Sequence, residues 1–250
     1  MNLSAIDLAI LGPAFLAGVL VTATHVPLGI QVLSRGIVFI DLAIAQVAGL
    51  GVIFADWLGL PPMGWGVQAA ALSAALAGAL FLTWTERHWP DVQEAIIGTT
   101  FVLAATGALI LLAANPRGGE HLKELLVGQI LWVSWERLLP VAVIYGMVLA
   151  LWFGLRERMG RAGFYLLFAA TVTISVQLVG LYLVFASLII PALATYWRRR
   201  QRLAVCYTLG VGGYALGLMA SAMFDLPAGA VIVWALALVS VPVFLLGKSS

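Results

Sequence analysis

Long apolar stretches without a charged side chain dominate the sequence, and short polar segments separate them. A helix needs about 20 mostly apolar residues to cross a bilayer. The stretches lack the strict alternation of barrel strands, and only helices or closed barrels satisfy their backbone groups in lipid. The pattern therefore predicts an all-α, polytopic bundle of membrane-spanning helices. The charge-free stretches are 8–24, 57–85, 95–116, 138–155, 162–197, 203–224 and 226–247, with 36–55 charge-free except for Asp41.

Two of these stretches are too long for one crossing. The stretch 57–85 contains a turn with two adjacent prolines, Pro61 and Pro62. The stretch 162–197 would be about 54 Å long as one helix, at roughly 1.5 Å per residue, whereas the hydrocarbon core is about 30 Å thick. Glycine weakens helices, so we predict a break near Val179 and Gly180. This gives about nine crossings, within a range of eight to ten.

The basic residues test that break, because cytoplasmic loops carry an excess of Lys and Arg. With the break, one side holds ten of the 13 basic residues and the other holds three; without it, the division is five against eight. The break is favoured, which places the N-terminus outside and the C-terminus in the cytoplasm of an inner-membrane protein. The ten are Arg35, Arg87, Arg156, Arg158, Arg161, Arg198, Arg199, Arg200, Arg202 and Lys248, and the three are Arg117, Lys123 and Arg137.

Composition excludes several classes of protein. Hydrophobic residues make up 63% and charged residues 10%, whereas soluble domains have roughly 45–50% and about 25%. A net charge of +2 is too small to indicate a nucleic-acid partner. The single Cys206 excludes a disulfide framework. Residues 1–250 are predicted to form one transmembrane domain. Gly213 and Gly217 have the spacing of a close helix contact.

No nucleotide-binding motif is present. Gly247, Lys248 and Ser249 resemble the end of a phosphate loop, but Pro242 stands where its first glycine belongs. Catalytic motifs are also largely missing from the sequence. A chain of this kind that moves solute uphill must take its energy from a partner or a gradient.

Asp41 is the most informative residue, because it is the one acid within an apolar stretch. Burying an Asp at the centre of a membrane costs roughly 2.5–3.5 kcal/mol on insertion scales, so such residues usually face a bundle interior or a water-filled path. Asp41 is thus a candidate for the translocation path. The alternative is a structural Asp that pairs with Arg35 or caps a helix.

Two further residues are weaker candidates for the path. Gln46 lies about 140° from Asp41 around a helix, so the two share a face only if the helix is distorted. Its alternative role is that of a packing amide. His25 is predicted to end the first span, as a metal or path residue or as a solvated interfacial histidine.

Polar clusters outside the spans suggest partner surfaces. On the outer side, Glu120, His121 and Glu124 have the spacing of one helical face and could attract a cation or dock a soluble partner. The alternative is a solvated loop. On the inner side, two loops could seat a cytoplasmic partner, and their candidate residues are Arg87, Asp91, Glu94, Arg156, Glu157, Arg158 and Arg161.

Several ordered fragments resemble the membrane permease subunits of ATP-binding-cassette (ABC) importers for zinc and manganese. The segment 28–41 is similar to the family's segment with an Arg followed by an intramembrane Asp. The segment 119–134 is similar to its Gly-centred outer segment. The most distinctive fragment is 179–194, and Leu226–Gly229 matches the turn before the last span.

This resemblance implies a transporter subunit without a nucleotide-binding site of its own, and not an enzyme. It implies a homodimer in the lipid bilayer that is driven by a dimer of cytoplasmic ABC ATPases. An extracytoplasmic metal-binding protein would supply the ion. No tightly bound cofactor is expected, and the cargo would be Zn²⁺ or Mn²⁺, held weakly at Asp41. Family members often carry a His four residues after this Asp, where the chain has Ala45 followed by Gln46. The inner loop 154–163 is shorter than is normal for the family. Alternatives are a permease for a metal chelate or other small ligand, a non-transport scaffold, or a membrane enzyme.

Overall fold

The computed structural model describes residues 8–61, 64–112, 130–198 and 200–247, and within them the chain is α-helical with no strands. This confirms the predicted all-α, polytopic bundle. Nine α-helices lie in these ranges, and short 3₁₀ turns occupy Pro90–Val92 and Ile130–Trp132. The helices are α1 (Leu8–Arg35), α2 (Ile40–Trp57), α3 (Trp65–His88), α4 (Gln93–Leu112), α5 (Trp135–Leu155), α6 (Arg161–Val179), α7 (Leu181–Ala194), α8 (Arg202–Phe224) and α9 (Ala228–Gly247).

The predicted break in the stretch 162–197 is confirmed. Helix α6 ends at Val179, and Gly180 alone separates it from α7. Gly180 has φ of 84° and ψ of 160°, a conformation open mainly to glycine. Eight helices of the described ranges are long and apolar enough to cross a membrane. Helix α7 has 14 residues, so it is about 21 Å long and shorter than the hydrocarbon core.

Helix α1 corrects the first predicted span, because it does not end near Thr24 but continues to Arg35. Pro27 lies inside it and has no N–H to donate to the carbonyl of Ala23. The hydroxyl of Tyr207 in α8 donates to that carbonyl instead, at 3.1 Å. A neighbouring helix thus satisfies the freed backbone group, which allows a proline within a buried helix.

The helices form two groups, and α6 contacts members of both. Helix α2 packs against α3 and α4, whereas α1, α7, α8 and α9 pack together, and α6 touches α1, α2 and α3. Gly213 and Gly217 of α8 face Leu236 and Ile232 of α9, where an added methyl group would collide. The predicted close helix contact is therefore confirmed.

One end of the bundle carries many of the arginines, and we call it the basic end. Helices α1 and α5 finish there and α6 begins there, so Arg35, Arg156 and Arg161 border a common cavity. The first residues of α2 and α4 lie close together, since the backbone N–H of Phe39, just before α2, lies 3.4 Å from a carboxylate oxygen of Glu94 in the first turn of α4. The predicted cytoplasmic location of the basic end stays a prediction.

Candidate transport path and partner surfaces

Asp41 is the second residue of α2 and is fully buried. Neither of its carboxylate oxygens has a side-chain partner in the described ranges, so the alternative of a hydrogen-bonded pair with Arg35 is not formed. The carboxylate interacts only with the backbone N–H groups of Asp41 itself and of Leu42, without the geometry of a full hydrogen bond. Arg35 instead places its guanidinium carbon 4.3 Å from the ring centroid of Phe164. The start of a helix favours a negative charge, because the first amide groups of the helix point toward it. The fold thus tolerates Asp41 and leaves its oxygens open.

The residues before Asp41 are fixed by two other helices. The ring of Phe39 stacks on Phe185 of α7, with centroids 6.3 Å apart. Its backbone N–H donates to one carboxylate oxygen of Glu94 in α4, and the second oxygen of Glu94 is buried without a described partner. Glu94 therefore faces the start of α2, a contact between residues 55 positions apart. The sequence pattern gave no signal of it.

Gln46 and Asp41 do not share a face. Helix α2 runs without interruption from Ile40 to Trp57, so five residues of offset place the two side chains about 140° apart. Asp41 is fully buried, whereas Gln46 is half-buried. The helix lacks the distortion that would bring both side chains to one ion.

His25 lies within α1 and is fully buried, which corrects its predicted place at the interfacial end of the first span. Its Nδ1 atom lies 2.9 Å from the carbonyl oxygen of Val21 and 3.2 Å from the hydroxyl of Thr24. A carbonyl oxygen only accepts, so Nδ1 carries the proton. Atom Nε2 is buried with no described partner.

The face of α1 that carries His25 is tightly packed. Gly18, Thr22, His25 and Gly29 lie within about 60° of one another around the helix. An added methyl group on Gly18 would collide with the ring of Tyr214 in α8, and one on Gly29 with the carbonyl of Leu188 in α7. His25 is therefore enclosed where α1 meets α7 and α8.

The remaining predicted residues divide by position. Glu120, His121 and Glu124 lie outside the described residues. Six of the inner residues are exposed, whereas Glu94 is half-buried. Within the described ranges, no three His, Cys, Asp or Glu side chains are grouped so that they could hold a metal ion. The exposed six are Arg87, Asp91, Arg156, Glu157, Arg158 and Arg161.

Comparison with known proteins identifies the family. Residues 7–162 and 149–247 match the ABC 3 transport family. The chain belongs to this family. It is therefore a membrane-spanning permease of the ABC class, as the resemblance of its fragments implied. It is also 27% identical to the uncharacterized membrane protein slr2045 of Synechocystis, over 88% of the ABC 3 chain and 84% of that protein.

Two solved structures share the fold of this ABC 3 permease. One is PsaBC from Streptococcus pneumoniae in complex with a Fab, with a TM-score of 0.78 and 21% identity over 99% of the chain and 95% of that structure's chain. The other is a metal-chelate type ABC transporter in an inward-facing conformation, with a TM-score of 0.68 and 16% identity. The second match covers 95% of the chain and 85% of that structure's chain.

Proposed function

We propose that this ABC 3 permease imports divalent metal ions, zinc or manganese, and that the ion passes Asp41. One observation carries the proposal, namely that a carboxylate is buried at the start of α2 with both oxygens unpartnered in the described ranges. A buried carboxylate without a partner is costly, so a cation that passes it gains the interaction that the protein leaves open.

The side chains that could bind the ion suit a site through which the ion passes. Carboxylate and amide oxygens suit manganese or a hydrated ion, and an imidazole nitrogen suits zinc. Asp41 has Ala45 at the position where a histidine would complete a ligand pair on the same helical face. A single open carboxylate binds an ion weakly, and an ion in transit must also leave. The cargo is a substrate, with no resident cofactor implied.

The partners follow from the same proposal. A pair of cytoplasmic ATPase subunits would contact the exposed charged residues of the basic end, including Arg87 and Arg158. A second copy of the permease would complete the path through the membrane. An extracytoplasmic metal-binding protein would deliver the ion near Glu120, His121 and Glu124. His25 and Gln46 stay predictions as path residues, and the packing around His25 favours a structural role.

The test is metal uptake by vesicles that contain the permease with its ATPase. Wild-type vesicles should accumulate Zn²⁺ or Mn²⁺ in the presence of ATP. In the Asp41→Asn variant, uptake per folded permease should fall roughly 10–100-fold, because an interaction with a charged group is worth about 1.5–3 kcal/mol and each 1.4 kcal/mol is tenfold. The variant keeps the size and shape of the side chain, so the fold should be retained.

Asp225→Asn is the matched control. It makes the same chemical change at an exposed residue whose left-handed conformation asparagine also adopts, and it should leave uptake unchanged. Full uptake in Asp41→Asn would exclude a role of this carboxylate in transport. Wild-type vesicles that accumulate a metal chelate and neither free ion would replace the proposed cargo by a chelate.

A further inference from the structure

A cavity of about 270 Å³ lies at the basic end, between the last turns of α1 and α5 and the first turn of α6. Its charged lining consists of three guanidinium groups, those of Arg35, Arg156 and Arg161, and one carboxylate, that of Glu157. The cavity therefore has an excess of positive charge and suits an anion. Pockets for drug-sized ligands measure roughly 300–1,000 Å³, so this cavity suits a small charged group.

Arg35 is held in place for such an anion. Its guanidinium carbon lies 4.3 Å from the centroid of the Phe164 ring, and this cation–π contact favours that position of the group. Its Nη1 atom is buried and has no hydrogen-bond partner in the described part of the chain. A charged donor that is buried without an acceptor is costly, so the site calls for an acceptor oxygen. Guanidinium groups match the geometry of phosphate oxygens in particular, because they can bind two of them at once.

The position of the cavity indicates where the phosphate comes from. Trp152 lines the cavity and is buried, whereas its neighbours Leu151 and Phe153 on α5 are exposed apolar side chains. The cavity thus adjoins a surface that suits lipid. Basic pockets between membrane helices on the cytoplasmic side are typical sites for anionic headgroups.

We propose that this cavity binds a phosphate group, supplied by the headgroup of an anionic phospholipid of the surrounding bilayer. The cavity does not include Asp41, and its exposed residues Arg156, Glu157 and Arg161 belong to the surface that we propose contacts the ATPase. Its test needs neither ATP nor the ATPase, so its failure would leave the proposed function untouched.

The experiment measures lipid binding to the purified, full-length permease in neutral detergent. Phosphatidylglycerol, phosphatidylcholine and inorganic phosphate are added separately, and bound lipid is counted by native mass spectrometry alongside the melting temperature. We expect phosphatidylglycerol to bind and to raise the melting temperature, and phosphatidylcholine to do neither. Arg161→Gln should weaken phosphatidylglycerol binding roughly tenfold, because one charge-assisted hydrogen bond is lost.

Two further variants keep the test sharp. Arg35→Gln should also weaken the binding of phosphatidylglycerol. Arg161 is an exposed residue at the start of α6, so Arg161→Gln should fold even if Arg35→Gln does not. Arg137→Gln is the matched control, since Arg137 is an exposed arginine in the first turn of α5 that does not line the cavity, and this variant should bind lipid like the wild type.

The remaining outcomes are distinguishable. Binding of inorganic phosphate without phosphatidylglycerol would support the phosphate site and assign it to a soluble source. Equal binding of both lipids, or equal binding by the wild type and both cavity variants, would overturn the proposal. Unchanged lipid binding in variants that no longer retain the ATPase would overturn it in favour of an acidic segment of that partner.

Discussion

Two fully buried polar residues, His25 in α1 and Asp41 in α2, occupy opposite kinds of surroundings. His25 donates through Nδ1 to the carbonyl of Val21 and lies on a face that packs tightly against α7 and α8. Asp41 stands at the beginning of a helix, and neither of its oxygens has a described hydrogen-bond partner. Both look alike to any scale of burial, and only their partners distinguish them.

The difference indicates that His25 contributes to the stability of the fold, whereas Asp41 does not. Removing His25 should cost stability, because a hydrogen bond and packing volume are lost together. Neutralising Asp41 should cost transport and leave stability unchanged or improved, because no side-chain partner is lost and the oxygen of an amide can still face the backbone N–H groups of Asp41 and Leu42. Substitution of His25 should therefore lower stability more than uptake, whereas substitution of Asp41 should lower uptake more than stability.

The largest effect on stability should come from the packed face of α1. Gly29→Leu would drive a side chain into the backbone carbonyl of Leu188, which cannot move as a side chain can. We expect a loss of at least about 3 kcal/mol, at the upper end of overpacking. The measurement is the melting temperature in detergent. Gly146→Leu is the control, because Gly146 of α5 is exposed with nothing close to it. Equal melting temperatures for the two variants would contradict the tight contact of α1 with α7.

A smaller loss should follow from His25→Ala. The variant loses the hydrogen bond to Val21 and leaves a space, which should lower stability by about 1–3 kcal/mol. If the imidazole has the structural role that its packing favours, uptake per folded permease should stay within about twofold of the wild type. Both quantities can be measured on one preparation. An uptake loss as large as that of Asp41→Asn would instead place Nε2 of His25 in the path.

The smallest change in stability should be that of Asp41→Asn. Because the carboxylate has no described partner, the amide removes a buried charge at no cost in native contacts, and stability should stay equal or rise by up to about 1 kcal/mol. A thermal unfolding curve without added metal measures this. A clear fall in melting temperature would mean that the carboxylate stabilises the helix start, as in the structural alternative.

Much of the fold could be predicted from the sequence. In a bilayer, the length of each apolar stretch indicates how many helices cross the membrane, and glycines indicate where a helix breaks or packs closely. The break at Gly180 and a close helix contact at Gly213 and Gly217 are both confirmed, although the sequence does not predict that the partner helix is α9. The extension of α1 past Pro27 was not, since it depends on a hydroxyl of Tyr207 from a helix far along the chain. Local propensity contains no information about such a donor.

The candidate site was predicted only in part. Asp41 stood out because an acid is costly within an apolar stretch, and its burial is confirmed. The burial of His25 and the contact between Glu94 and the start of α2 depend on how helices assemble. Periodicity shows which face is apolar, but not which neighbour covers it.

The shortness of α7 has a consequence for how the protein is made. At about 21 Å, this helix is too short to cross the hydrocarbon core, which is about 30 Å thick. Its main neighbours are α1 and α9. Helix α9 is the last helix of the described chain, so it leaves the ribosome after α7 and α8. The centre of the bundle is therefore complete only after α9 has been synthesised, and a chain that stops before Ala228 leaves α7 without one of the two helices that cover it.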